Sequence, residues 1–305
     1  MPDIRILPIA QSFVPDLDVG GWVESGLGWL VDTFGVFFTF MRQLLGWLVE
    51  RLEVVFGGPP FWVIVLVFAL IALVAKGWKF ALFIALAFTF VESMGHFQDT
   101  MLSLALVLVA ALLAVVLGVP LGILAARNET ASTLIRPMLD FMQTMPAFVY
   151  LVLAMLFFRI GVVPGVIASL LFAMPPAVRL TELGIRQVDP EVVEAAHAFG
   201  AKPREVLTGV QLPLAMPSIM AGINQVIMLA LSMVVIAGMA GAGGLGGVIV
   251  EGITRLNFGL GVEGGLAVVV LAIFLDRITA TLGTNQRSGG GLFSGLRSRV
   301  GLSAA

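Results

Sequence analysis

The chain of 305 residues has no cysteine, only three lysines, two histidines and one tyrosine, and just 12% of its residues are charged. The missing cysteine excludes disulfides, thiolate metal sites and cysteine nucleophiles, and leaves the redox compartment open. Two histidines, His96 and His197, are too few to build a credible Ser/His/Asp set. No catalytic constellation emerges, so the chain reads as a non-enzyme with no metal site. The lysines stand at 76, 79 and 202, and none completes a phosphate-binding G-x-x-x-x-G-K-[ST] loop. If this protein works with ATP, another subunit must bind it. A net charge of -2 gives no bulk attraction to nucleic acid. The opening MPDIRILPIAQSFVPDLD lacks a basic start followed by an apolar stretch, so it is not read as a cleaved signal peptide.

What the chain has is apolar surface. Hydrophobic residues make up 59% of it, and the mean hydropathy is +1.05. A soluble domain carries about 25% charged residues, so this composition belongs in a bilayer. A spanning helix needs roughly 20 apolar residues. Seven segments qualify by hydropathy, at about 60–75, 78–95, 99–125, 136–158, 164–185, 212–238 and 262–283. The first two are joined only by Lys76-Gly77-Trp78-Lys79 and form a tight hairpin.

Residues 20–56 combine Trp22, Trp29 and Trp47 with charges at Glu24, Asp32, Arg42, Glu50, Arg51 and Glu53. A charge at the bilayer centre costs at least about 2.5 kcal/mol. This favours amphipathic helices lying in the interface; a span near 29–49 is the alternative. The expected organisation is an external or interfacial region 1–59, a membrane hairpin 60–95, a core 96–284 that includes the polar loop 187–211, and a Gly/Ser-rich tail 285–305.

Basic residues orient such a chain. With the 186–211 loop inside, Lys76, Lys79, Arg127, Arg136, Arg186, Lys202, Arg204, Arg287, Arg297 and Arg299 are cytoplasmic. Arg5, Arg42, Arg51, Arg159 and Arg255 fall outside. Seven spans then place the N-terminus outside and the C-terminus inside. His96 and His197 sit on opposite sides, so they share no metal, and His197 is a surface residue of the loop.

That loop, EAAHAFGAKPREVLTGVQLP from Glu194 to Pro213, is a polar island between apolar segments. Asp189 suits a helix N-cap and Pro190 the first helical position. Gly200 suits a left-handed stop, and Pro203 starts a second short helix. The spacing predicts a helix-turn-helix on the membrane surface. Its alanines keep a low profile, so a partner can approach closely.

Other motifs carry less. Gly241-Ala242-Gly243-Gly244-Leu245-Gly246 matches G-x-G-x-x-G, which needs a preceding strand to bind a nucleotide. Here a long apolar helix precedes it. Gly241, Gly243 and Gly244 read instead as a flexible or closely packed external loop, a candidate gate. Gln143, Thr144, Asn224, Gln225 and Ser232 are polar residues inside apolar spans. They either bond neighbouring helices or line a polar path. Pro120, Pro146, Pro175, Pro176 and Pro217 also lie inside apolar spans, where each can kink its helix.

The loop fits E-A-A-x3-G-x9-[IV]-x-L-P and resembles the cytoplasmic coupling loop of permease subunits in ABC-type importers. IRPMLDFMQTMPAFVYLV from Ile135, LLFAMPPAVRLTELGIRQV from Leu170 and the stretch from Val210 through Gly246 narrow the match. From about 97 to 282 the chain resembles the permease subunit of glycine betaine/L-proline ABC importers. The resemblance implies an all-α integral membrane protein with the type I ABC importer permease fold, in a bacterial inner membrane. It implies a second permease copy, two ATPase subunits that hold ATP and Mg, and an external substrate-binding protein. Glu194, Ala195, Ala196, Gly200, Ala201, Lys202 and Pro203 would then dock the ATPase. The solute would be a compatible solute or quaternary amine; betaine, proline, choline and carnitine all stay open. Two other functions compete. A stand-alone secondary transporter or channel would move solute without an ATPase, and an inverted repeat, which would have favoured it, is not evident. A membrane scaffold would show no flux.

Overall fold

A computed structural model describes residues 18–285, with side chains for 18 and 20–281. The acidic N-terminal stretch through residue 17 and residues 286–305 of the expected tail lie outside the described residues. Those described are helical, with no strand among them. The chain divides into two compact units, Met1–Met41 and Arg42–Ala305.

In the first unit α1 (Val19–Thr33) opens on Asp18, whose carboxylate accepts the Gly21 N–H. Its Trp22 and Trp29 side chains are exposed. The helix α2 (Gly35–Gly57) begins in this unit and ends in the second.

The second unit is built around α8 (Val162–Arg186), which packs most extensively along α11 (Leu212–Ala237) and α5 (Phe97–Arg127). Small residues allow the close approach. At Gly122 of α5 an added Cβ would fall 2.6 Å from both the Val178 carbonyl oxygen and Thr181 Cβ. At Gly222 of α11 it would meet the Pro176 carbonyl oxygen at 3.1 Å. The hairpin of α3 (Phe61–Lys76) and α4 (Trp78–Ser93) turns at Gly77, whose φ is +89°. It is pinned to α13 (Phe258–Asn285) by buried Phe68, Phe88 and Phe274, with ring centroids 4.6–5.4 Å apart.

Helices occupy all seven expected spanning segments. Four are long and apolar enough to cross a membrane on their own: α5, α8, the continuous run Pro203–Ala240 and α13. The expected span 136–158 is not one straight helix. It is α6 (Glu129–Thr144) and α7 (Ala147–Phe158), bent by 100° at the break. Pro146 explains it. It disfavours the helical conformation at Met145, which is extended at φ -69° and ψ 133°. Pro120, Pro175, Pro176 and Pro217 sit inside continuous helices. A second bend, of 94°, follows α2 at Gly58-Pro59-Pro60. Counting each bent pair as one span gives six.

Candidate functional site

Between α8 and α11 the chain forms α9 (Pro190–Ala198), α10 (Pro203–Val206) and a π-helical turn (Leu207–Gln211). Asp189 caps α9 by accepting the Glu191 N–H at 2.9 Å, and Pro190 fills the first turn. Gly200 stops α9 with φ +84°, a conformation that side chains resist. Its N–H reaches the His197 carbonyl, and Ala201 N–H reaches that of Ala196. Glu205 reaches back to the Lys202 N–H at 2.8 Å, so α10 is capped too. No residue of α9 is buried. Glu194, Ala195, Gly200, Lys202 and Pro203 are exposed; Ala196 and Ala201 are half-buried.

This short structure stands on its own core. Val188 and Leu207 pack with Ile185 of α8 and with Ala215 and Ile219 of α11. Val193 of α9 and Val119, Ile123 and Ala126 of α5 cover the edge. Apolar side chains thus join the loop to the ends of three long helices. The most exposed large side chain here is Phe199, 93% accessible beside Gly200. Sequence reasoning passed over it. Its signal was a lone aromatic next to a helix stop in an otherwise polar turn.

Above the loop lies an ionic cluster that sequence reasoning also missed. Glu182 of α8 is 4% exposed. One of its oxygens accepts from Ser132 Oγ at 2.8 Å, from Arg136 Nη2 at 2.8 Å and from Arg186 Nε at 3.0 Å. Arg186 also donates to the Ala125 carbonyl at the end of α5 and to Glu129 at the start of α6. A lone buried carboxylate would be costly, and three donors on it offset that cost. Beside it Arg179 of α8 pairs with Asp140 of α6. Arg136, Asp140, Arg179, Glu182, Leu183 and Arg186 line an open pocket of about 270 Å³.

The polar candidates separate. Asn224 faces α13, donating to Asp276 at 3.3 Å and accepting from Thr279 Oγ1. Gln225 and Ser232 are exposed on α11, and the Ser232 hydroxyl bonds only its own helix, at the Met228 carbonyl. Gln143 and Thr144 are exposed at the end of α6, where Thr144 donates to the Phe141 carbonyl.

Gly241, Gly243 and Gly244 have φ of +74°, +76° and +61°. They form a closely packed turn between α11 and α12 (Gly244–Thr254). The buried Ser103 hydroxyl of α5 accepts the Leu245 N–H at 2.8 Å, and Gly161 N–H bonds the Ala240 carbonyl. A Cβ at Gly244 would lie 2.5 Å from Ser103 Oγ. A helix precedes this turn, so it lacks the strand that a nucleotide fingerprint requires. His96, which the sequence left without a role, is buried with ring nitrogens 3.5 Å from Asp99 and 3.3 Å from Glu263. His197 is exposed on α9.

Comparison with known proteins matches residues 118–287 to the family described as "Binding-protein-dependent transport system inner membrane component". The chain is 46% identical over 283 residues to "Glycine betaine/proline betaine transport system permease protein ProW" of Escherichia coli (strain K12). That match covers 93% of this chain and 79% of the relative. It is 44% identical to "Glycine betaine transport system permease protein OpuAB" of Bacillus subtilis (strain 168), over 91% of this chain and 98% of the relative. Among solved structures, an inward-facing MetNI methionine ABC transporter matches 60% of this chain and 92% of its own, with a TM-score of 0.56. At 20% identity that likeness shows the fold alone.

Proposed function

The chain belongs to the inner membrane components of binding-protein-dependent transport systems, and from that premise we propose that it is the non-catalytic permease subunit of an ATP-driven importer for glycine betaine or a related quaternary-amine solute. The observation that carries the mechanism is the 187–211 loop. It is capped at both short helices, exposed on its outer face and fixed by its own core to α5, α8 and α11. A partner that grips this loop moves three long helices together. Such rigid-body transmission requires contacts that differ between two states.

In this reading two copies of the chain form the pathway. Two ATPase subunits, which hold the ATP and Mg, dock on Glu194, Ala195, Ala196, Gly200, Ala201, Lys202 and Pro203. An external binding protein delivers the solute. The loop faces the cytoplasm, the N-terminus lies outside and the C-terminus inside. Gln143, Thr144, Gln225 and Ser232 supply exposed polar groups for a path in which weak contacts favour passage. Asn224 is spoken for by α13 and supports that wall from behind. The turn at Gly241, Gly243 and Gly244 closes the outer end as a packed hinge.

The test is reconstitution of the chain with its ATPase and binding protein in vesicles. Uptake of labelled glycine betaine should require ATP and all three components. Uptake that persists without the ATPase would make the chain a stand-alone transporter and sink the proposal. Single cysteines test orientation. One at Ser93 should react with an impermeant thiol reagent in intact cells, and one at Thr208 only after permeabilisation. The reverse pattern would invert the topology.

A further inference from the structure

The pocket between α6 and α8 contains two ionic assemblies of different character. Glu182 is buried and held by three donors, and Arg186 by three acceptors, so neither is free to exchange. The Arg179–Asp140 pair is the open part. Its side chains are 40% and 67% exposed, and among the described residues neither has another side-chain partner. Arg179 lies seven residues inside the end of α8, or about 10 Å along the helix axis. Charges at such a position in a spanning helix face a partner or a water-filled cavity, because lipid exposure is costly. The cavity of about 270 Å³ is just under the ~300 Å³ where small-molecule sites begin.

The charge balance narrows the ligand. Arg136, Arg179 and Arg186 are matched by Asp140, Glu182 and Glu129. An anion entering here would compete with Asp140 for Arg179 and leave that carboxylate unpaired. A cation would leave the guanidinium unpaired. A zwitterion does neither. Its carboxylate takes the Arg179 guanidinium, a charge-assisted hydrogen bond, while its ammonium lies against Asp140. Both charges stay paired throughout, so entry and exit need no net change.

We propose that this pocket is a solute station on the loop side of the pathway, where a small zwitterion exchanges into the Arg179–Asp140 ion pair. The proposal rests on the importer reading above and adds a site to it. Neighbouring Glu182 acts as a positioning residue. It fixes α6 against α8, so that Arg179 and Asp140 stay within reach of each other.

The chain's lack of cysteine makes the test clean. Leu183 lines the pocket and is exposed, and it carries no charge in the exchange. Leu183→Cys, assembled with the ATPase, is placed in inside-out vesicles and treated with a charged, impermeant thiol reagent. The cysteine should label. Glycine betaine should slow labelling, while equal concentrations of choline or acetate should not. Adding Arg179→Ala should abolish the protection and, in right-side-out vesicles loaded with ATP, slow uptake roughly tenfold, the size of one charge-assisted hydrogen bond. Arg179→Lys, which keeps the charge, should restore part of both. No labelling, labelling unaffected by glycine betaine, equal protection by choline, or protection that survives Arg179→Ala would each overturn the proposal. ATP-driven uptake without protection sinks the pocket alone. Protection without ATP-driven uptake upholds the pocket and sinks the importer reading.

Discussion

At one end of α11 the chain turns through Pro190–Gln211, and at the other through Gly238–Leu245. Both connections depend on small residues, for opposite reasons. In the first, Gly200 has open space around it, with nothing within 4 Å of an added Cβ. Ala195, Ala198 and Gly200 there are exposed, and caps at Asp189 and Glu205 hold the shape. In the second, a Cβ on Gly238 would fall 2.1 Å from the Gly246 carbonyl carbon, and one on Gly246 would fall 2.5 Å from the Val234 carbonyl oxygen. Here small residues let backbone pack on backbone. One connection presents a surface and the other closes a joint. Substitutions should therefore act on partner binding at the first and on folding at the second.

The largest effect is expected where backbone meets backbone. Gly238→Ala should cost about 3 kcal/mol or more, since neither Gly246 nor its neighbours can move aside as a side chain would. Thermal unfolding of the purified chain in detergent, together with the folded yield, measures this. An unchanged melting curve would mean the turn is loose, and the contrast between the two connections would fail.

Gly200→Val is the counterpart. Its cost is confined to positive φ, about 1–3 kcal/mol of local backbone strain, with no clash. The protein should still insert and fold, melting below wild type but above Gly238→Ala. Association with the ATPase should fall, and ATP-driven uptake should drop at least roughly tenfold, as losing one central interface contact does. Glu194→Lys should act similarly by reversing a charge on the exposed face. Normal association and uptake in both variants would remove the loop from the interface.

The difference between these connections also marks how far the sequence was readable. Asp189, Pro190, Gly200 and Pro203 act within three residues of themselves, so the short helices of the loop could be drawn from local rules. The closed joint needed knowledge of Ser103, which lies 142 residues from Leu245. The same holds for Glu182, whose partners Ser132 and Arg136 are 50 and 46 residues away. Proline shows the limit most directly. Five prolines sat in apolar segments, and only Pro146 separates two helices. The bilayer-length criterion ignored that break and joined α6 to α7. Family resemblance carries the architecture, while side-chain pairing across helices depends on contacts between residues far apart in sequence.

Between the two connections, α11 repeats the same split on its own faces. Asn224 points to α13 and holds Asp276 and Thr279. Asn224→Leu should destabilise the chain by about 1 kcal/mol, the net worth of a hydrogen bond, because Asp276 is part-exposed and keeps Arg277 beside it. Slower uptake in this variant would follow from the looser α11–α13 contact. An unchanged melting temperature together with slow uptake would instead place Asn224 in the pathway itself.

Ser232 should give the smallest change in stability and the most specific change in function. It is exposed, and its hydroxyl bonds only the Met228 carbonyl one turn back. Removing that bond within a helix frees no buried group, so Ser232→Leu should shift stability by no more than about 0.5 kcal/mol. The added isobutyl group, however, replaces a polar contact on a face that already carries Gln225 about two turns away, seven residues earlier. If that face borders the solute path, the turnover rate should fall while the affinity of the isolated binding protein and the association of the ATPase stay as they were. Those three measurements separate the outcomes. Slow turnover with intact assembly assigns the face to the path. Loss of assembly assigns it to contact between copies. Wild-type behaviour in all three would leave α11 a packing helix, and the polar path would then have to run along α6 and α8.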